Sequence, residues 1–376
     1  MRAIQMVDTK TQYLKIKTEV DAAIHEVLDS AAYINGKPVQ NFTQALNNYV
    51  GTKFTIPCAN GTDALQIAMM ALDLQPGDEV ITPSFTYIAT TEVVALLRLK
   101  PVFVEVDPNT FCIDPAAIRK AITPKTKAIV PVHLYGHAAP MEEIMQIAEE
   151  FNLFVIEDNA QAIGCEYTFS NGQTKKTGGI GHIGCTSFYP SKNLGAFGDG
   201  GAIFTNDESL AHKMKMIANH GQEKRYYHEM VGCNSRLDSI QAAVLNIKLP
   251  LLDSYIKARQ DAANFYNRAF AGIKQIEVPF IADYSSHVYH QYTLILHDVD
   301  RDALNTYLAE KKVPSMIYYP VPGHRQEMFA GFGGGTYDLK ITDWLTERVI
   351  SLPMHTELDE EQLSYIASEI INFIKP

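Results

Sequence analysis

Residues 128–158 read AIVPVHLYGHAAPMEEIMQIAEEFNLFVIED, and this stretch decides the fold class. An apolar run, Ala128–Leu134, gives way to a helical pattern over Met141–Phe151, and a second apolar run follows over Leu153–Asp158. Short apolar segments with few polar interruptions indicate strands buried on both faces, and two such strands joined through a helix run parallel. The alternation continues outward. Upstream, candidate strands Phe54–Ala59, Glu79–Thr82 and Pro101–Asp107 interleave with helical stretches Asp63–Leu74, Ala89–Leu99 and Pro115–Ala121. Downstream come Thr186–Tyr189, Ala202–Thr205 and a helix over Glu208–His220. Seven strands with interleaved helices predict an α/β fold with a mainly parallel seven-stranded sheet. Residues 10–29 predict a further helix, with Leu14, Val20, Ile24, Val27 and Leu28 as buried positions. The helical stretch from Ser235 to Phe270 is crossed by Pro250, which predicts a break there. After Ala271 the pattern changes to a strand over His290–Leu296 and helices over Arg301–Lys311 and Glu360–Ile374. A large domain over 1–250 and a smaller C-terminal α+β domain over 251–376 are therefore expected.

Composition narrows the class. The chain has 376 residues, 46% hydrophobic and 20% charged, as in an ordinary soluble protein. A net charge of -11 argues against a general nucleic-acid binder, which needs a basic excess to neutralise phosphates. The five cysteines are scattered and form no CxxC pair, so neither a metal site nor a disulfide framework is indicated and a cytoplasmic location fits. The first residues carry no apolar signal-like core, and no run of about 18 apolar residues occurs, so a membrane span is not expected.

In an open α/β sheet, ligands collect at the carboxyl ends of the strands. Asn60-Gly61-Thr62-Asp63 lies between a strand and a helix, where N–H groups and the macrodipole favour an anion. Capping of the helix by Thr62 or Asp63 explains the same residues. Val155-Ile156-Glu157-Asp158-Asn159-Ala160-Gln161 is a buried strand ending in carboxylates, suited to capping, to a metal or to holding a cation. An Asp opposite a pyridinium nitrogen would keep it protonated. Thr186–Gly195 places Lys192 just after a strand, among Ser, Pro, Asn and Gly. Most lysines are solvated surface charges, but partial burial yields the neutral amine that Schiff-base chemistry needs. Ser187 stands five residues earlier and could donate to a phosphate, and Gly198-Asp199-Gly200-Gly201 follows. In Val231–Asp238, Arg236 could clamp an anion or remain a surface charge, and Asp238 could cap the next helix.

The order and spacing of ANGTDAL, PSFTYIAT, EDNAQAIG, TSFYPSKNLGAFGDGGA, GCNSRLDSIQAA and YYPVPGHRQ resemble the DegT-type sugar aminotransferase family, from about Gln5 to Leu358. The resemblance implies a fold-type I transferase dependent on pyridoxal 5′-phosphate, with the cofactor attached at Lys192. It implies Asp158 against the pyridine nitrogen, Gln161 beside the 3′-hydroxyl and Tyr87 stacked on the ring. Thr62, Asp63 and Ser187 would cradle the phosphate, with Asn234 reaching it from the neighbouring subunit of a homodimer. Arg236, Tyr318 and His324 fall in segments that surround the sugar nucleotide, with Lys224, Arg225 and Arg325 as weaker candidates. The implied reaction moves an amino group from L-glutamate to a nucleotide-linked keto sugar. The most similar members act at C3 of UDP-2-acetamido-2-deoxy-3-keto-glucuronate, in surface polysaccharide precursor biosynthesis. A dTDP- or GDP-linked 6-deoxy keto sugar is the alternative substrate. A non-catalytic sugar-nucleotide sensor is a second alternative, against which both Lys192 and Asp158 argue.

Overall fold

The computed structural model describes residues 2–375. Its main sheet has seven strands in the spatial order Phe54–Cys58, Gly201–Thr205, Ile183–Ser187, Phe154–Asp158, Thr126–Ile129, Glu79–Pro83 and Lys100–Val104. All run parallel except Gly201–Thr205, which is antiparallel to both neighbours. The expected mainly parallel α/β sheet is therefore present. Successive side chains on a strand face opposite sides of the sheet, so each strand feeds two cores. Val80, Ala128 and Ile156 join one apolar cluster, while Ile81, Ile129 and Val155 join the other. This two-sided burial is why the strands read as continuous apolar runs.

The helices Gly61–Ala71, Ala89–Leu96, Pro115–Ala121, Met141–Phe151 and Glu208–Ile217 lie between the strands, close to their expected bounds. The predicted N-terminal helix is two helices, Thr9–Lys15 and Lys17–Ser30, separated at Ile16. That break takes Leu14 out of phase with the second helix. Val20 and Val27 are buried, but Leu14 and Leu28 are 55% and 45% exposed, contrary to expectation. Pro250 does interrupt the long helix, leaving Ser239–Lys248, a short 3-10 turn over Leu249–Leu251, and Leu252–Ala269. Asp238 occupies the N-cap position but makes no side-chain capping bond. An amphipathic helix not anticipated from the sequence, Lys37–Val50, buries Val39, Phe42, Leu46 and Val50.

A second sheet falls within residues 251–376. Its three antiparallel strands are Ile276–Glu277, Tyr292–Leu296 and Val349–Leu352. Helices Leu252–Ala269, Arg301–Glu310 and Glu360–Ile374 share its apolar core. The chain's first residues pack on this part: Arg2 donates to the Glu357 carbonyl at 2.6 Å, and Met354 N–H donates to the Met6 carbonyl at 3.2 Å.

Candidate active site

The carboxyl ends of three strands, Phe54–Cys58, Phe154–Asp158 and Ile183–Ser187, open into a cavity of about 830 Å³. That is the size of an ordinary small-molecule site. Asn60 begins its wall. The Asn60 Oδ1 accepts the Asp63 N–H at 2.8 Å and caps the helix Gly61–Ala71. Capping thus falls to Asn60 rather than to Thr62 or Asp63, and both of those residues line the cavity. The first N–H groups of a helix have no intrahelical acceptor, so they and the dipole favour an anion here. The first turn is pressed against the sheet. A Cβ on Gly61 would stand 2.8 Å from Ser187 Cβ, and one on Gly201 would stand 2.5 Å from the Asn60 carbonyl carbon. Glycine at both positions brings the backbone N–H groups and the Ser187 hydroxyl onto one small volume.

The two carboxylates that end the strand Phe154–Asp158 divide their work by pleat. Glu157 points away from the cavity into full burial. It accepts from Gly178, Ile180 and Gly181 N–H at 2.7, 2.8 and 2.6 Å, and from His133 Nε2 at 2.9 Å. His133 Nδ1 accepts the Ala139 N–H at 3.0 Å, so Nε2 carries the donated proton. Burial pushes the Glu157 carboxyl up, but His133 and the backbone donors outweigh it and hold the group below its ordinary value. Asp158 lines the cavity. Its Oδ2 accepts from Thr90 Oγ1 at 2.7 Å and its Oδ1 from Ala160 N–H at 3.1 Å. Thr86 lies 3.1 Å behind Thr90, Oγ1 to Oγ1. Gln161 lines the same wall, where its Oε1 accepts the Tyr135 N–H at 2.8 Å and its Nε2 donates to Tyr319 Oη at 3.0 Å.

Lys192 enters opposite, on a turn closed by Ala196 N–H to the Phe188 carbonyl at 2.7 Å and Lys192 N–H to the Tyr189 carbonyl at 2.8 Å. Burial pushes the Lys192 amine down to about 8, with the Asp158 carboxylate opposing in part. Among the described residues Lys192 makes no ion pair, which leaves its amine free toward the cavity. Tyr87, 56% exposed, and Tyr318 complete the wall.

The structure therefore gathers Thr62, Asp63, Tyr87, Asp158, Gln161, Ser187, Lys192 and Tyr318 around one cavity. It does not bring Asn234, Arg236 or His324 there. Ser235 faces inward, where its Oγ accepts the Ala59 N–H at 3.0 Å. In an extended segment its neighbours point the other way. Asn234 is exposed, and Arg236 donates to Asn219 Oδ1 at 3.3 Å beside a separate cavity. His324 is buried against Ser84, whose Oγ lies 2.7 Å from its Nδ1, with Asp343 Oδ1 3.3 Å from its Nε2. Arg325 pairs with Asp343, while Lys224 and Arg225 lie over the rings of Tyr227 and Tyr226. Sequence reasoning missed Thr86, Thr90, Tyr319 and His290. The first two were visible as hydroxyls four residues apart in PSFTYIAT, and Tyr319 adjoins Tyr318; nothing local marks His290.

The donor set fits pyridoxal phosphate. A partly neutral amine and an anchored carboxylate face one space without being paired, and a helix N-terminus with a serine hydroxyl stands beside them to take the phosphate. Comparison with known proteins agrees. A model of the DegT/DnrJ/EryC1/StrS aminotransferase family matches residues 14–371. The chain is 44% identical over 371 residues to the UDP-2-acetamido-2-deoxy-3-oxo-D-glucuronate aminotransferase of Pseudomonas aeruginosa, covering 98% of this chain and 100% of that one. It is 44% identical over 374 residues to a pleiotropic regulatory protein of Geobacillus stearothermophilus, covering 99% of each. The crystal structure of S. venezuelae DesV in complex with a ketimine intermediate superposes with a TM-score of 0.95 at 37% identity, covering 100% of both chains. With a family model matched across nearly its whole length, and with the cavity that such chemistry requires, the chain belongs to the DegT/DnrJ/EryC1/StrS aminotransferase family and depends on pyridoxal phosphate.

Proposed function

We propose that the chain transfers an amino group from L-glutamate to C3 of UDP-2-acetamido-2-deoxy-3-keto-glucuronate, with Lys192 as the reactive amine. The carrying observation is the Lys192 amine and the Asp158 carboxylate on one cavity beside the capped N-terminus of Gly61–Ala71. Likeness to the Pseudomonas aeruginosa enzyme over its full length supports the substrate. A place in the supply of surface-polysaccharide precursors follows from such a product.

When bound, pyridoxal phosphate supplies a ring that spreads the negative charge left as the donor's Cα–H bond breaks. The chain's residues do the rest. Lys192 Nζ takes the proton from Cα as base and would deliver it as acid to the cofactor's C4′ carbon, which its lowered pKa of about 8 favours near neutral pH. Asp158, held by Thr90 and the Ala160 N–H, would set a fixed negative charge against the ring nitrogen. Gln161, held from two sides, would offer its remaining N–H to the ring hydroxyl, and Tyr87 would cover the ring face. Ser187 and the helix N-terminus would hold the phosphate. Residues 1–250 would form the cofactor-binding part and 251–376 the smaller one.

We infer a cytoplasmic homodimer in which Asn234 and Arg236 serve the neighbouring subunit's cavity; both lie away from the cavity of their own chain. The test of substrate is an assay of the UDP-uronate and of a dTDP-linked 6-deoxy keto sugar, each with L-glutamate, following 2-oxoglutarate. Turnover of the uronate alone supports the reading, and turnover of the dTDP sugar alone overturns it. A purely regulatory role, as in the Geobacillus stearothermophilus relative's name, predicts no 2-oxoglutarate with either.

A further inference from the structure

Lys248 ends the helix Ser239–Lys248 and is only 2% exposed. Burying an ammonium group is costly unless something compensates, and an apolar side chain of that length would fill the space without the cost. Among the described residues no carboxylate pairs with it. Its Nζ donates to the Gly195 carbonyl at 2.5 Å and lies 5.7 Å from the centroid of the Phe197 ring. Burial, and secondarily the Arg259 cation, pushes the Lys248 amine down to about 8.

Gly195 closes the turn that carries Lys192. A Cβ there would stand 2.4 Å from the Pro190 carbonyl oxygen, so the turn is folded tightly back on itself. Its flanks are held from outside: Asn193 Nδ2 donates to the Val288 carbonyl at 2.8 Å, and Phe197 N–H donates to Gln241 Oε1 at 2.8 Å. The Gly195 carbonyl has Lys248 as its only protein donor among the described residues.

We infer that Lys248 is a positioning residue: through the Gly195 carbonyl it holds the Lys192 turn so that the reactive amine stays aimed into the cavity. Lys192 must leave and regain the cofactor in each cycle, so its own covalent bond cannot fix the turn; Lys248 does so from behind. This rests on Lys192 being the reactive amine.

The test compares full-length wild type, Lys248→Met and Lys248→Arg. Lysine acetylation by acetic anhydride is mapped by mass spectrometry on the cofactor-free full-length chain, and kcat and KM are measured with cofactor present. The Met variant is expected to fold and to alter the Lys192 acetylation rate. Its kcat should fall about 10- to 100-fold while KM for L-glutamate stays within about twofold. Lys248→Arg, which keeps a donor, should recover most of both. A folded Met variant with wild-type acetylation of Lys192 and wild-type kcat overturns the inference alone. Slow, surface-like acetylation of Lys192 in wild type would instead sink the reading of the site itself. Should Lys248→Met not fold, Lys248→Leu, which likewise removes the donor to the Gly195 carbonyl, carries the same comparison.

Discussion

At the scale of single residues, the account turns on an amine and a carboxylate sharing a cavity. Burial lowers Lys192 to about 8, while Asp158 acts to raise it. Below that value the amine is protonated and unreactive; above it the neutral form dominates. Acetylation of Lys192 in the cofactor-free chain should therefore rise through about pH 8, well below the ordinary lysine value of 10.5. Asp158→Asn removes a charge that favours the proton, so the midpoint should move to lower pH; an upward move would contradict the assignment. The same variant should slow transamination by about 100-fold or more while the protein stays folded, the scale seen when one fixed charge-stabilising group is lost. A near-wild-type kcat would remove Asp158 from its role. That Lys192 and Asp158 lie at the cavity was legible because one stands just past a strand and the other ends one. Thr90 and Tyr319 were not, because they act on Asp158 and Gln161 through hydrogen bonds whose partners lie 68 and 158 residues away. Arg236 was readable by its position in the motif, but the face it presents, away from its own chain's cavity, depends on Ser235 turning inward.

At the scale of elements, two devices hold the site. Asn60 caps the helix that presents its N-terminus to the cavity. Asn60→Ala should cost about 1 kcal/mol of stability and weaken cofactor retention, read by denaturation and by cofactor titration. Glu157 ties the strand Phe154–Asp158 to the 178–181 loop. Its carboxyl is held below the ordinary 4.5, so the stabilisation is fully present above that pH and is lost as pH falls through the lower folded value. Glu157→Gln should destabilise by about 3 kcal/mol at pH 7, and the gap to wild type should narrow in acid; a constant gap would refute the ionic part of the claim. The strands were readable because burial on both faces writes uninterrupted apolar runs. The first helices were harder. Ile16 breaks the helix, so one helical wheel drawn over residues 10–29 mixes two phases and places Leu14 wrongly, while Leu28 stands about 100° round the second helix from buried Val27. Lys37–Val50 does carry a regular buried stripe, but it stands before the strand–helix alternation that organised the reading.

At the scale of the whole molecule, the sheet brings distant segments to one edge, and the C-terminal part closes over them with His290, Gln291 and Tyr318. Asn234 and Arg236 remain outside their own chain's cavity, which motivates a shared site. Mixing Lys192→Ala chains with Asn234→Ala chains should restore activity, because each mixed dimer regains one intact site. Random exchange gives roughly one quarter of the wild-type number of sites. Silence after proven subunit exchange would refute shared sites and leave the chemistry at Lys192 standing. That chemistry is the central claim, and borohydride reduction of the cofactor-loaded protein followed by peptide mapping tests it most directly. The account predicts one reduced cofactor adduct, on the peptide bearing Lys192, and none in Lys192→Ala. An adduct on any other lysine of the wild-type chain would contradict it.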